Sequence, residues 1–223
     1  MISPDKEIVT FLKEKKYIQL LSLCSVHKLL NRLISLSYDK RNLISWRAIE
    51  AIGLIMKEIS KTRPELVRNT VTRLIWMIRD ESGGICWSAP EIIGEIVRNN
   101  PSLCSDIASI ISSFHEEIML RTGVLYAISR IGNINDEFVQ YTTPIILSHL
   151  HDPEPSIRGH AAIAAGEVGV KEALPELQKL ENDNNIFLLY EGGELKEKPV
   201  SEVASRSITQ LLKTCNDPSH EEK

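Results

Sequence analysis

Five copies of one apolar pattern set the strongest limit on what this chain can fold into. In each copy an apolar residue is followed by others at +4, +7, +8 and +11. The copies are Ile44, Ala48, Ala51, Ile52, Ile55; Ile85, Ala89, Ile92, Ile93, Ile96; Leu120, Val124, Ala127, Ile128, Ile131; and Ile157, Ala161, Ala164, Ala165, Val168. The fifth is Val200, Ala204, Ser207, Ile208, Leu211, with one polar lapse at Ser207. This spacing marks one face of an α-helix and is incompatible with a strand. The copies start 41, 35, 37 and 43 residues apart, a period typical of stacked helix pairs. Position +9 is small throughout (Gly53, Gly94, Ser129, Gly166, Thr209), which lets neighbouring helices approach closely.

A second apolar-periodic stretch precedes each copy and supplies its partner helix: residues 26–38, 64–78, 102–114, 136–150 and 171–180. Pro4, Pro64, Pro101 and Pro155 sit where helix starts tolerate proline, and Pro90 falls in the first turn of the second copy. The spacing predicts second helices near 44–58, 85–98, 118–132, 156–169 and 200–213. A further helix over residues 4–23 would cap the open N-terminal end of the stack.

At residues 151–169, HDPEPSIRGHAAIAAGEVG, the chain resembles the HEAT-repeat superfamily, and within it the short-repeat, phycobilisome-lyase-like branch. The family's turn aspartate matches Asp39, Asp80 and Asp152, with His115 in its place in the third copy. Its arginine after the repeat start matches Arg121 and Arg158, while Ser45, Cys86 and Ser201 depart from it. The resemblance covers residues 25–213 and implies an all-α fold: a right-handed α-solenoid of about five HEAT-like helix pairs in one domain, 1–215. It also implies scaffold or assembly work, because such repeats mostly build surfaces that hold other molecules.

The last repeat departs from the pattern. Residues 184–199 read NNIFLLYEGGELKEKP, two short extended runs around Gly192-Gly193, and predict an inserted β-hairpin. Residues 216–223 are polar and predict a flexible tail.

In a template helix, positions +3, +6 and +10 lie away from the apolar seam, with +2 beside them. This stripe carries Trp46, Arg47 and Glu50 in the first copy, Trp87 and Glu91 in the second, Tyr126 in the third and His160 in the fourth. By analogy with HEAT arrays these seven residues would line a concave groove. Trp46 and Trp87 hold equivalent positions in adjacent repeats, about 10 Å apart at helix-packing distances. They form either a recognition patch, since Trp, Tyr and Arg dominate interface energetics, or satellite core folded onto neighbouring helices. Trp76 falls in the apolar pattern of a first helix and is assigned to the core. The Gly83-Gly84 stretch ahead of Trp87 reads as a tight inter-helix turn more readily than as an anion site.

No catalytic or metal constellation stands out. Glu50 and Glu91 are a repeat apart and resemble paired acids only loosely. His149 and His151, two positions apart at a helix end, point differently and make a poor ligand set with Asp152. A net charge of −4, a pI near 5.9 and the stripe acids Glu50, Glu91, Glu95 and Glu167 count against nucleic acid. The apolar runs are too short for a membrane span, the acidic N-terminus does not read as a secretion signal, and the four cysteines are widely scattered. The expectation is therefore a cytoplasmic, non-catalytic binding module that needs no cofactor and recognises a protein or peptide partner in its groove. Tetrapyrrole (bilin-type) binding or lyase-like chemistry is the alternative that the resemblance adds, with a HEAT-like DNA glycosylase after it.

Overall fold

A computed structural model describes residues 4–79 and 86–215. The Gly83-Gly84 turn, the start of the second template at Ile85 and the tail 216–223 lie outside the described residues. The described chain is almost entirely helical: α1 (Pro4–Lys13), α2 (Val26–Leu36), α3 (Leu43–Ser60), α4 (Pro64–Ile78), α5 (Ala89–Asn99), α6 (Pro101–Ser112), α7 (Arg121–Ile131), α8 (Asp136–His149), α9 (Pro155–Val168), α10 (Leu174–Leu180) and α11 (Val200–Cys215). One antiparallel pair, β1 (Ile186–Glu191) and β2 (Glu194–Pro199), sits between α10 and α11. The order is that of tandem helix pairs, α2/α3 through α10/α11, with α1 ahead of them. The fold is all-α. No described helix is long and apolar enough to cross a membrane.

Local chemistry sets the boundaries. Asn42 caps α3 by accepting from the Ile44 amide, and Asn135 caps α8 by accepting from Phe138 at 2.8 Å. Pro64 and Pro155 start α4 and α9, where a missing N–H costs nothing. Pro90 does the same for α5, so that helix begins at Ala89 and not at residue 85. The expected N-terminal helix over 4–23 is instead α1 and a separate 3-10 turn, Ile18–Ser22, because Lys15 breaks the run with a φ of 55°.

The chain divides into two compact units: Met1–Ile111 with Tyr190–Lys196, and Ser112–Leu189 with Glu197–Lys223. In the first, the core is built by Leu29 and Leu33 of α2, Ile49, Ile52, Ile55 and Met56 of α3, Leu74 of α4 and Ile92 of α5. Helices α3 and α5 pack directly. A Cβ on Gly53 would lie 2.7 Å from the Glu95 Cβ, so the small residue at +9 is what lets these helices touch.

In the second unit, α9 packs between α7 and α11, burying Val124, Ile128, Ala161, Ala164, Ala165, Ala204 and Leu211. The polar lapse at Ser207 has a steric reason. A Cβ on Gly166 would fall 2.9 Å from the Ser207 Oγ, a gap with no space for a larger apolar side chain. Arginines at the helix starts pair with aspartates of the following helix pair. Arg121 Nη1 meets Asp152 Oδ2 at 3.0 Å, and Arg158 meets Asp183 at 2.6 and 2.8 Å.

The three tryptophans split in a way the pattern does not anticipate. Trp76, assigned to the core, is 66% exposed. It lies nine residues after Val67, half a turn off the α4 seam of Val67, Val71, Leu74 and Ile78. Trp46, on the stripe expected to face outward, is 5% exposed. Trp87 is 38% exposed.

Candidate functional site

The site develops on α3 because its stripe receives a piece of chain from far along the sequence. The double glycine closes the hairpin, with φ of 61° at Gly192 and 77° at Gly193. Positive φ at both central residues is the two-residue turn whose twist matches paired strands. The tip that results, residues 190–196, belongs to the first unit.

Five side chains hold it. The Trp46 indole stacks on Tyr190, with ring centroids 5.5 Å apart and planes 12° from parallel, while its Nε1 donates to the Lys40 carbonyl at 2.8 Å. The Tyr190 hydroxyl donates to Glu50 Oε2 in a short bond, and Tyr17 donates to the same oxygen at 2.9 Å. Arg47 Nε donates to the Gly193 carbonyl at 3.1 Å, and its Nη2 pairs with Glu194 at 2.9 Å. Its Nη1 donates to the Lys13 and Leu12 carbonyls at 2.8 and 3.4 Å, so the guanidinium is fixed from both sides. Lys15 Nζ lies 3.3 Å from both the Gly192 carbonyl and Glu194 Oε1.

The electrostatics match the geometry. Burial first, and then the Glu50 carboxylate, push the Tyr17 and Tyr190 phenols above their ordinary range, so both remain donors. The Lys15 hydrogen bond, aided by Arg47, holds the Glu194 carboxyl below its usual value.

Glu91 and Trp87 sit in the same unit, tied to this cluster through Lys40. The Lys40 ammonium makes a short ion pair with Glu91 Oε1 and donates to the Trp87 carbonyl at 2.9 Å. Glu91 is 1% exposed, and its second oxygen has no partner among the described residues. Cys86 is buried beside Tyr38, and burial pushes its thiol up, the opposite of what an activated nucleophile requires.

Tyr126 and His160 belong to the second unit. His160 is 2% exposed, its Nδ1 donates to the Ser156 carbonyl at 2.7 Å, and the Phe187 ring meets its edge at 5.4 Å. Tyr126 is buried beside it, ring centroids 6.4 Å apart. The second unit also holds a histidine pair, with His115 Nδ1 and His149 Nε2 3.2 Å apart. His151 turns away to Glu176.

Of the seven stripe residues, then, Trp46, Arg47, Glu91, Tyr126 and His160 are buried, Glu50 is half-buried and Trp87 alone is exposed. The stripe does not lie open to solvent as expected, because hairpin residues cover it: Tyr190–Glu194 on Trp46, Arg47 and Glu50, and Phe187 on His160. The sequence reading missed Tyr17, Lys15, Lys40, Tyr190 and Glu194. The one available signal was charge: Glu191 and Glu194 flank the glycines, while Lys13, Lys15 and Lys16 crowd the end of α1.

No family model matches the chain. A protein of Archaeoglobus fulgidus described only as uncharacterized is 27% identical over 179 residues, which cover 78% of this chain and 92% of that one. Among solved structures, the chain is similar to a crystal structure of an engineered protein, a Northeast Structural Genomics Consortium target, at TM-score 0.56 and 11% identity, covering 94% of this chain and 89% of that one. It is similar also to an archaeal HEAT-like repeats protein from Thermococcus onnurineus NA1, at TM-score 0.45 and 16% identity, covering 96% and 82%. At such identity the likeness to the engineered protein is one of fold.

Proposed function

We propose that this protein is a non-catalytic binding module that holds a segment of a partner protein or peptide on the helix stripe of its first unit, around Trp46, Arg47 and Glu50, with Trp87 at the accessible rim. One observation carries the reading. This stripe, with Lys15 beside it, already grips a turn of polypeptide through an aromatic stack, two backbone carbonyls, a phenol and a carboxylate. Those are the contacts by which a surface holds a peptide, and Trp, Tyr and Arg are the residues that carry most interface energy. The tetrapyrrole alternative has less support, because Trp46 offers no open ring face for stacking.

The test starts from protein purified with its co-purifying partner, which is identified and then recombined from pure components. Trp87→Ala, with helicity unchanged, is expected to weaken that complex by about 2 kcal/mol, roughly thirtyfold in Kd. An unchanged Kd in both Trp87→Ala and Glu50→Gln would remove this site.

A further inference from the structure

Resting on that reading, we infer that the hairpin tip is a tethered stand-in for the partner: the α3 stripe is a receptor for a tight acidic turn of the form Tyr-acid-Gly-Gly-acid, and a partner of this chemistry binds by displacing residues 190–194. The receiving side is built and held, whereas the occupant is light. Arg47 is 6% exposed and locked by the Leu12 and Lys13 carbonyls independently of the tip. Glu50 also accepts from Tyr17, a residue outside the tip. Lys15 closes α1 in the left-handed conformation at φ 55°, with the Lys16 amide returning to the Phe11 carbonyl at 2.9 Å, so its position is set by the helix end and not by the tip; from there its ammonium meets the Gly192 carbonyl and Glu194.

The tip side has the opposite character. The Glu194 side chain is 46% exposed, and Gly192 and Gly193 carry no side chain to bury. A two-stranded hairpin has little stability of its own, so what lifting its turn costs is the Tyr190–Trp46 stack and the bonds named above, which an incoming turn of the same chemistry replaces. Each group the receptor reads could come from another chain: two carbonyls in a turn, a phenol to stack on Trp46 and reach Glu50, and a carboxylate for Arg47 and Lys15. The charges fix the class of partner, since two cations on the receptor, Arg47 and Lys15, face the Glu194 carboxylate. A basic or purely apolar peptide would leave Arg47 and Lys15 without a counter-charge. Tethering gives the tip a millimolar-range effective concentration, which keeps the site closed to weak competitors.

The experiment uses the full chain and a labelled peptide of residues 188–196 (LLYEGGELK) closed into a ring, followed by fluorescence anisotropy. Tyr190→Phe keeps the stack and removes the bond to Glu50, and Glu194→Gln removes the ion pair. The double variant, with wild-type helicity and melting behaviour, is expected to bind the peptide at least about tenfold more tightly than wild type. Adding Arg47→Ala should abolish that gain. Should the double variant misfold, the single Glu194→Gln change at a half-exposed position gives the same comparison with a smaller gain. Equal peptide affinity in wild type and tip variants, or binding that survives Arg47→Ala, overturns the inference. The recombined partner separates the two readings. A complex weakened by Trp87→Ala but indifferent to the tip variants ends the stand-in and leaves the binding module, whereas indifference to both ends both.

Discussion

Gly159 shows how one missing side chain positions a whole segment. It occupies the +2 position of α9, equivalent to Trp46 and Trp87, and a Cβ there would fall 2.4 Å from the Phe187 ring. The glycine is what allows the Phe187 ring to close on the helix beside His160. Gly159→Ala raises helix propensity by about 1 kcal/mol, yet the overlap costs about 1–3 kcal/mol and should dominate. Net destabilisation in a urea titration is expected, with partial recovery when Phe187→Leu is added. A stabilised Gly159→Ala chain would show that the ring is free to move. Asp183 argues for the same anchoring by charge. Burial works to raise its carboxyl, but hydrogen bonds from Arg158 and Asn185 hold it below the usual range, and it fixes the chain just before β1.

At the scale of elements, close approach of the template helices decides the packing. A Cβ added at Gly53 would lie 2.7 and 2.8 Å from the Cβ and carbonyl oxygen of Glu95, and backbone cannot step aside as a flexible side-chain end can. In an exposed helix, glycine to alanine stabilises by about 1 kcal/mol. Here Gly53→Ala should instead destabilise, by about 1–3 kcal/mol, because α3 and α5 must separate by a few tenths of an ångström or more. Thermal unfolding of that variant decides the sign, and a raised midpoint would contradict the direct α3–α5 contact. The hairpin is the other element with a distinct rule. Its glycines close a turn of fixed hand, its strand β1 buries Phe187 and Leu189 on one face and Tyr190 on the other, and its tip delivers Glu194 to Arg47.

For the molecule as a whole, acid should weaken the fold through the histidine pair of the second unit. His149 is held down to about 4, by burial first and then by Arg121 and His115, against the opposing pull of Asp152. His115 is lowered as well, by burial first and then by Arg121, with Glu116 opposing. Both imidazoles therefore take up protons more readily in the unfolded chain, whose value is the ordinary 6.5. Their contribution is complete above about pH 6.5 and is lost as pH falls toward 4, by up to about 1.4 kcal/mol per pH unit for His149. Urea midpoints at pH 7.5 and pH 5 should show a steeper loss in wild type than in His149→Gln. Equal pH dependence in the two would assign the acid sensitivity to the carboxylates.

The repeat period, the helix identities and the hairpin were legible in the chain itself, because each follows from local order. An apolar residue at +4, +7, +8 and +11 forces a helix face, and two glycines between β-prone runs force a reversal. The small +9 residues at Gly53 and Gly166 likewise announced close helix contacts. Exposure was not legible. Helical phase says which way Trp46, Arg47, Glu91 and His160 point from their own helices, but not what arrives there. Trp46 is buried because Tyr190, 144 positions later, stacks upon it, and His160 because Phe187 does. Trp76 is exposed because its own seam already closes without it. The sequence alone determined which faces exist, since periodicity is a property of neighbours along the chain. Only the tertiary structure decided which of them is covered, since that depends on contacts between residues far apart in sequence.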